Sequence, residues 1–191
     1  MKTKYSQSTH EFAVTPPPSK AIAVLVLLGG ALPLLIIGGM LWFGKVDSTN
    51  WTGLLPALFI MGLVLGLSML AMKRRSVALV GHTLDVRAAL FRERTLVAEI
   101  DLQRARMVDL SERLDLRPAF KTLGMSLPGF QAGRFRLHDK LGKAFCLVTE
   151  RRRVLWLPLH NGQTQLLLSL ERPQELLDAL RAASDAPARR S

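Results

Sequence analysis

The sequence predicts an N-terminal two-helix transmembrane hairpin, followed by a mainly-β domain that ends in an amphipathic helix. Three observations predict it. Two apolar runs, Ala21 to Phe43 and Thr52 to Met72, contain no Asp, Glu, Lys, Arg or His. Lys73-Arg74-Arg75 ends the second run at once. Beyond that cluster the pattern breaks into short apolar or alternating segments separated by turn residues, until one helical stripe closes the chain. The expected division is a flexible polar tail (1–20), the hairpin (21–75), a domain (76–183) and a disordered tail (184–191).

Met1 to Lys20 is polar and ends in Pro16-Pro17-Pro18, which forbids regular helix and favours an extended lead-in. The two apolar runs then meet the roughly 20 helical residues needed to cross a hydrocarbon core about 30 Å thick. In the first run Leu, Ile, Val and Phe number about 13, an insertion bias of about −4 to −8 kcal/mol that Gly29, Gly30, Pro33, Gly38 and Gly39 reduce. A cleaved signal peptide fits poorly, because the apolar part is too long and no small-x-small site follows it. A buried hairpin in a soluble core is the bland alternative.

Two crossings put both ends on one side. Lys2, Lys4 and Lys20 precede the hairpin and Lys73, Arg74 and Arg75 follow it, whereas the turn from Gly44 to Trp51 holds one Lys and one Asp. The charge bias therefore places both termini in the cytoplasm, with Lys73, Arg74 and Arg75 as the membrane stop. Trp42, Phe43 and Trp51 sit at the far ends of the runs, where interfacial aromatics belong. Gly62 and Gly66 form a small-xxx-small pair, expected to serve helix packing, either between the two spans or in a homo-oligomer seam. With no ionisable residue in either run, an intramembrane proton or ion path is not expected.

Net charge is +11, and about +9 of it falls from Lys73 onward. A basic domain tethered at a membrane meets anionic lipid first. The lone Cys146 cannot form an internal disulfide, which suits a reducing compartment.

After the hairpin the expected strands follow in order. Val77 to Val80 leads to a turn at Gly81-His82, then Thr83 to Phe91 with Leu84, Val86 and Ala88 on one face. A turn is expected at Arg92-Glu93-Arg94, then strands at Leu96 to Ile100 and Arg106 to Leu110. Ser111 to Ala132 reads as a loop, punctuated by Pro118, Gly124, Pro128 and Gly129. Arg134-Phe135-Arg136-Leu137 alternates, with one cationic and one apolar face. Asp139 to Gly142 turns the chain; Ala144 to Thr149 and Val154 to Pro158 are apolar strands joined across Arg151-Arg152. Asn161-Gly162 marks a turn before Thr164 to Ser169. Pro173 suits the first turn of a helix, and Leu176, Leu177, Leu180 and Ala183 form its apolar stripe. About seven strands and one capping helix suffice for a single core without metal or disulfide.

The stretch Thr122-Leu-Gly124-Met-Ser-Leu127-Pro128-Gly129-Phe-Gln-Ala-Gly133-Arg134-Phe135-Arg136-Leu137 resembles the central signature of a bacterial pleckstrin-homology (PH)-like domain family. Ala144-Phe145, Val148-Thr149, Leu157-Pro158, Leu166-Leu167-Leu168-Ser169 and Arg172-Pro173-Gln-Glu175-Leu-Leu fit the same pattern in order and spacing. The resemblance covers about Ser76 to Ala183. It implies a PH-like barrel of seven strands with a C-terminal helix, in a family often attached to membrane helices, and it brings no catalytic residues. Leu123 stands where the family often has Asn.

Other chemistry is weakly represented. Gly124-Met-Ser126-Leu-Pro128 lacks the final glycine and the strand-turn-helix context of a nucleophile elbow. His10, His82, His138 and His160 lie far apart, and His10-Glu11 is not followed by a second His. No glycine-rich phosphate loop occurs, and Asp101, Asp109, Glu112 and Asp115 read as a solvated face. Cys146 reads as a small core residue. No catalytic residue, metal or cofactor is therefore expected.

The basic clusters remain. Lys121, Arg134, Arg136, Lys143, Arg151, Arg152 and Arg153 are the candidate residues for an anionic ligand or protein partner, with a solvated turn as the plain reading of Arg151 to Arg153. The sequence thus leads to a non-enzymatic protein of the bacterial inner membrane. Its cytoplasmic PH-like module is expected to bind a protein partner or anionic lipid headgroups. An oligomeric membrane scaffold assembled through the hairpin is the alternative. Nucleic acid is not an expected partner, since neither a recognition helix nor a stacking platform is evident.

Overall fold

A computed structural model describes residues 9–43, 51–138 and 142–185. The hairpin turn expected at 44–50, the first eight residues, the turn at 139–141 and the tail from 186 lie outside the described residues.

The first apolar run is one rod, formed by Ser19–Val26 (α1), a π-helical turn at Leu27–Ala31 and Leu32–Trp42 (α2). The second is Trp51–Lys73 (α3). Both are long and apolar enough to cross a membrane, and only 11% of each apolar window is buried. A core helix of a soluble domain hides its apolar surface, whereas here Leu35 is 71% and Phe59 72% exposed. The glycines used between the rods are not those the sequence suggests. A Cβ on Gly29 or Gly30 would stand 3.3 or 3.4 Å from the methyls of Leu65, while Gly62 and Gly66 have no neighbour within 4 Å. The expected packing of the two spans through Gly62 and Gly66 is thus corrected: their face of α3 points outward.

The described residues form ten strands in two sheets. Thr9–Phe12 (β1), Arg75–Val80 (β2), Thr83–Ala88 (β3) and Phe91–Leu96 (β4) form the first, in sequence order and antiparallel. The second contains Arg106–Val108 (β5), Pro118–Leu127 (β6), Phe130–Leu137 (β7), Lys143–Val148 (β8), Val154–Pro158 (β9) and Thr164–Leu168 (β10), in the order β5-β9-β10-β8-β7-β6. β8 and β10 run parallel and the other pairs antiparallel. The seven-stranded barrel implied by the resemblance is replaced by two sheets that do not close.

Four local expectations are corrected. The segment read as a polar tail supplies β1, whose Thr9 pairs with Val80 and Phe12 with Val77. The β3–β4 turn is Ala89-Leu90, not Arg92 to Arg94, and Ala89 takes a positive φ of 58°. Val97–Glu99 is a 3-10 turn rather than a strand. The expected loop from Ser111 to Ala132 contains β6, which is paired along its length with β7 around Pro128-Gly129. Gly129 takes a positive φ of +80° and Gly133 one of +119°, whereas Gly124 does not. Gly124 and Gly133 are cross-strand partners, and a Cβ on either would strike the opposite backbone. Glycine at these two positions lets β6 and β7 approach.

Most of the core lies between the sheets, where Leu84, Val86, Phe130, Phe145, Leu147, Leu155, Leu157, Leu166 and Leu168 meet Leu176 and Leu180 of Pro173–Asp185 (α4). A second cluster covers the outer face of the six-stranded sheet, with Cys146, Trp156 and Leu167 under Leu110 and Leu116. The central strands β8, β9 and β10 are therefore buried on both faces, which is why they read as continuous apolar runs. Ser169 completes the edge of this core. It is fully buried, and its hydroxyl accepts from the Thr149 and Glu150 amides at 3.2 and 3.3 Å while donating to the Glu150 carbonyl.

The domain has two ends, fixed by the helices. At the near end α3 passes into β2 with only Arg74 between them. Thr15 donates to the Ser169 carbonyl at 3.3 Å, Arg75 donates to the Thr15 carbonyl at 3.3 Å, and Pro18 lies over Gly129. At the far end the Val97 amide bonds the His82 carbonyl, Ile100 bridges Leu159, and His82 Nδ1 stands 3.0 Å from the Ala183 carbonyl.

Candidate functional site

The open seam between the sheets holds a groove of about 360 Å³, lined by residues of β4, β6, β7, β8 and β10. Strand β7 builds it by changing character along one face. Phe130 and Ala132 point into the apolar core, but the same face continues as Arg134 and Arg136, both exposed. Cross-strand pairing sets Lys143 opposite Arg136 and Phe145 opposite Arg134. Three cations thus share one concave face, floored by Phe145 and edged by Thr122 and Thr164.

One carboxylate enters the groove. Glu93 on β4 accepts from Arg134 at 2.8 and 3.3 Å, so Arg134 ties the two sheets across the seam. Arg136 and Lys143 have no carboxylate partner among the described residues. Like charges held side by side on a sheet repel, and an anion between them relieves that repulsion. The groove therefore offers two uncommitted cations and a third held by Glu93. It suits a phosphate or carboxylate group rather than a neutral ligand.

Of the seven candidate cations, the fold brings together Arg134, Arg136 and Lys143. Lys121 does not join them. It pairs with Phe135, on the opposite face of the sheet, and the register slip at Thr122 keeps it there. Arg151, Arg152 and Arg153 lie in the β8–β9 turn at the near end. Arg152 and Arg153 line a separate open groove with Arg172, where Asp109, Glu171 and Glu175 balance the charge.

A family model described as "Bacterial PH domain" matches residues 82–184. The chain belongs to this family. No curated protein and no solved structure matches it. The matched stretch begins at the β2–β3 turn, so β1, β2 and the apolar helices lie outside the part that defines the PH domain. The residues that line the seam groove all lie within the PH domain. The basic run Lys73-Arg74-Arg75 lies just before it, with Lys73 and Arg74 exposed and Arg75 half-buried. Burial pushes the Arg75 guanidinium below its ordinary range.

Asp85, which the sequence left unassigned, and Cys146, read there as a core residue, also shape the PH domain. Asp85 is buried in the first sheet and receives a bidentate grip from Arg92. That hydrogen bonding holds its carboxyl below the usual range, against a smaller opposing effect of burial. Their spacing of seven residues across a two-residue turn carries the signal, once the turn is set at Ala89-Leu90. Cys146 is wholly buried, which pushes its thiol far up and leaves it protonated.

Proposed function

We propose that this protein is a non-enzymatic, membrane-anchored binding module. On this reading α1–α2 and α3 span the bacterial inner membrane, both termini lie in the cytoplasm, and the PH domain holds a partner there. The observation that carries it is the exposed apolar surface of two span-length helices, the second joined through one residue to β2, which leads into the PH domain. Only a hydrocarbon solvent covers such surface without cost. The seam groove then receives an acidic segment of a protein partner or an anionic headgroup at Arg136 and Lys143.

Two measurements test the reading. The chain should stay in the membrane fraction through an alkaline carbonate wash, with a C-terminal tag reached only after the cells are opened. Release by carbonate would overturn it. Partners crosslinked in native membranes should be lost from the Arg136→Gln/Lys143→Gln variant while its fold is kept. Partners held equally by the variant would remove the seam from the proposal.

A second reading is favoured by Gly62 and Gly66, which face open space rather than the first helix. A second copy packed there would make the protein a scaffold subunit. Crosslinking in native membranes at native expression decides it, and a monomer ends it.

A further inference from the structure

The β3–β4 turn is built unusually. Its two central residues are Ala89 and Leu90, without the glycine or asparagine that a positive φ favours, yet Ala89 has φ 58°. Leu90 at the tip is 77% exposed. The pairing Arg75↔Ala88 places this turn beyond the start of β2, on the side from which α3 arrives. Around it an open groove of about 430 Å³ is lined by Lys73, Arg74, Arg75, Arg87 and Arg92, without a carboxylate in its lining. The one carboxylate behind it, Asp85, is engaged by Arg92 and lies 3.9 Å from Arg87.

A bare leucine at a strained tip, ringed by cations and level with the end of a span-length helix, matches the boundary between acyl chains and headgroups. The apolar tip suits the first. Arginines suit phosphate through paired N–H donors. We propose that the Ala89-Leu90 turn and its surrounding cations form a juxtamembrane site for anionic phospholipid headgroups, with Leu90 entering the acyl boundary. The inference rests on the reading that the helices stand in a bilayer, and it deepens it. This near-end groove is a lipid site separate from the seam groove, whose Arg136 and Lys143 lie toward the far end.

The test uses the full chain in nanodiscs of phosphatidylcholine with or without phosphatidylglycerol. Leu90→Cys carries an environment-sensitive fluorophore; buried Cys146 does not compete for it. Leu96→Cys, at the far end of β4, is the control. The Leu90 label should emit to the blue and be quenched by shallow spin-labelled lipid in discs containing phosphatidylglycerol. The shift should shrink at least twofold in Arg74→Gln/Arg87→Gln, and the Leu96 label should emit as in water throughout. Water-like emission from the Leu90 label in every disc would overturn the proposal. So would a shift indifferent to both lipid charge and the arginine changes. Failure of the chain to enter discs would instead overturn the membrane reading itself, which incorporation reports separately.

Discussion

We predict that Gly133→Ala is among the most damaging single-methyl changes in the PH domain. Two costs combine at this site. The backbone sits at φ +119°, where an L-residue is strained by about 1–3 kcal/mol. The added Cβ also meets the Leu123 carbonyl and the Gly124 Cα on β6, both backbone atoms that cannot rotate aside. Overpacking of that kind costs about 1–3 kcal/mol. The sum is about 2–6 kcal/mol. At about 4–8 °C per kcal/mol for a domain near this size, the midpoint should fall by about 8 °C or more. Two companions separate the terms. Gly124→Ala carries the steric cost without a positive φ, and Gly162→Ala carries a φ of +66° with nothing within 4 Å. Each should lose about 1–3 kcal/mol, less than Gly133→Ala. Thermal melts of the full chain in detergent, followed by near-UV circular dichroism, give the ranking. A Gly133→Ala midpoint within 2 °C or so of the parent would refute the close approach of β6 and β7.

Three further outcomes are expected. Asp85 has its folded pKa held below the ordinary value, so its contribution is full above about pH 4 and is lost as pH falls through the folded value. The melting-point gap between parent and Asp85→Asn should therefore persist near pH 7 and narrow only below about pH 4; a gap constant with pH would contradict the Arg92 assignment. Cys146 should resist maleimide at mildly alkaline pH in the folded chain and react once denaturant is added, as counted by mass spectrometry; prompt reaction in the native state would contradict its burial. Leu166→Ala, at a fully buried site between Phe145 and Leu157 on neighbouring strands, should cost about 2–5 kcal/mol in the same melts; a loss below about 1 kcal/mol would mean that the sheets are not packed as described.

The parts of the fold legible in the sequence are those where one physical demand acts alone. The apolar helices show because charge is absent from both runs. β8, β9 and β10 show because burial on both faces removes polar residues from them. α4 shows because one face only is buried, and Leu176, Leu177 and Leu180 mark it. Other elements are hidden where two demands overlap. β6 is a sheet-edge strand with mostly exposed side chains, so it lacks alternation, and its glycine serves strand approach while reading as a loop signal. β1 is short and sits beside three prolines; its signal is the alternation Phe12, Val14, whose side chains pack on the core. The β3–β4 turn carries no turn residue at all. For the candidate site, alternation in Arg134 to Leu137 correctly puts both arginines on one face. The β7–β8 register adds Lys143, and a slip between β6 and β7 removes Lys121; spacing along one strand reveals neither.

The β1–β2 ladder bears on membrane topology independently of charge. β1 precedes the first apolar helix and β2 follows the second, yet Thr9 to Phe12 pair with Val77 to Val80 in one sheet. The strap continues as Val14 bridges Leu170 and Glu171 donates to the Ala13 carbonyl at 3.0 Å, so the leading segment reaches the second sheet as well. Backbone pairing of this kind requires both segments on the same side of any bilayer in which the helices stand. A single crossing would separate β1 from β2, leaving the β2 edge unpaired and Phe12 and Val14 away from the core they pack against. In a bilayer the ladder alone would require an even number of crossings, and the lysine and arginine count would choose only the side. The same ladder also ties both helix ends to one rigid sheet, so the β3–β4 turn and the cations around it keep a fixed height relative to the end of α3.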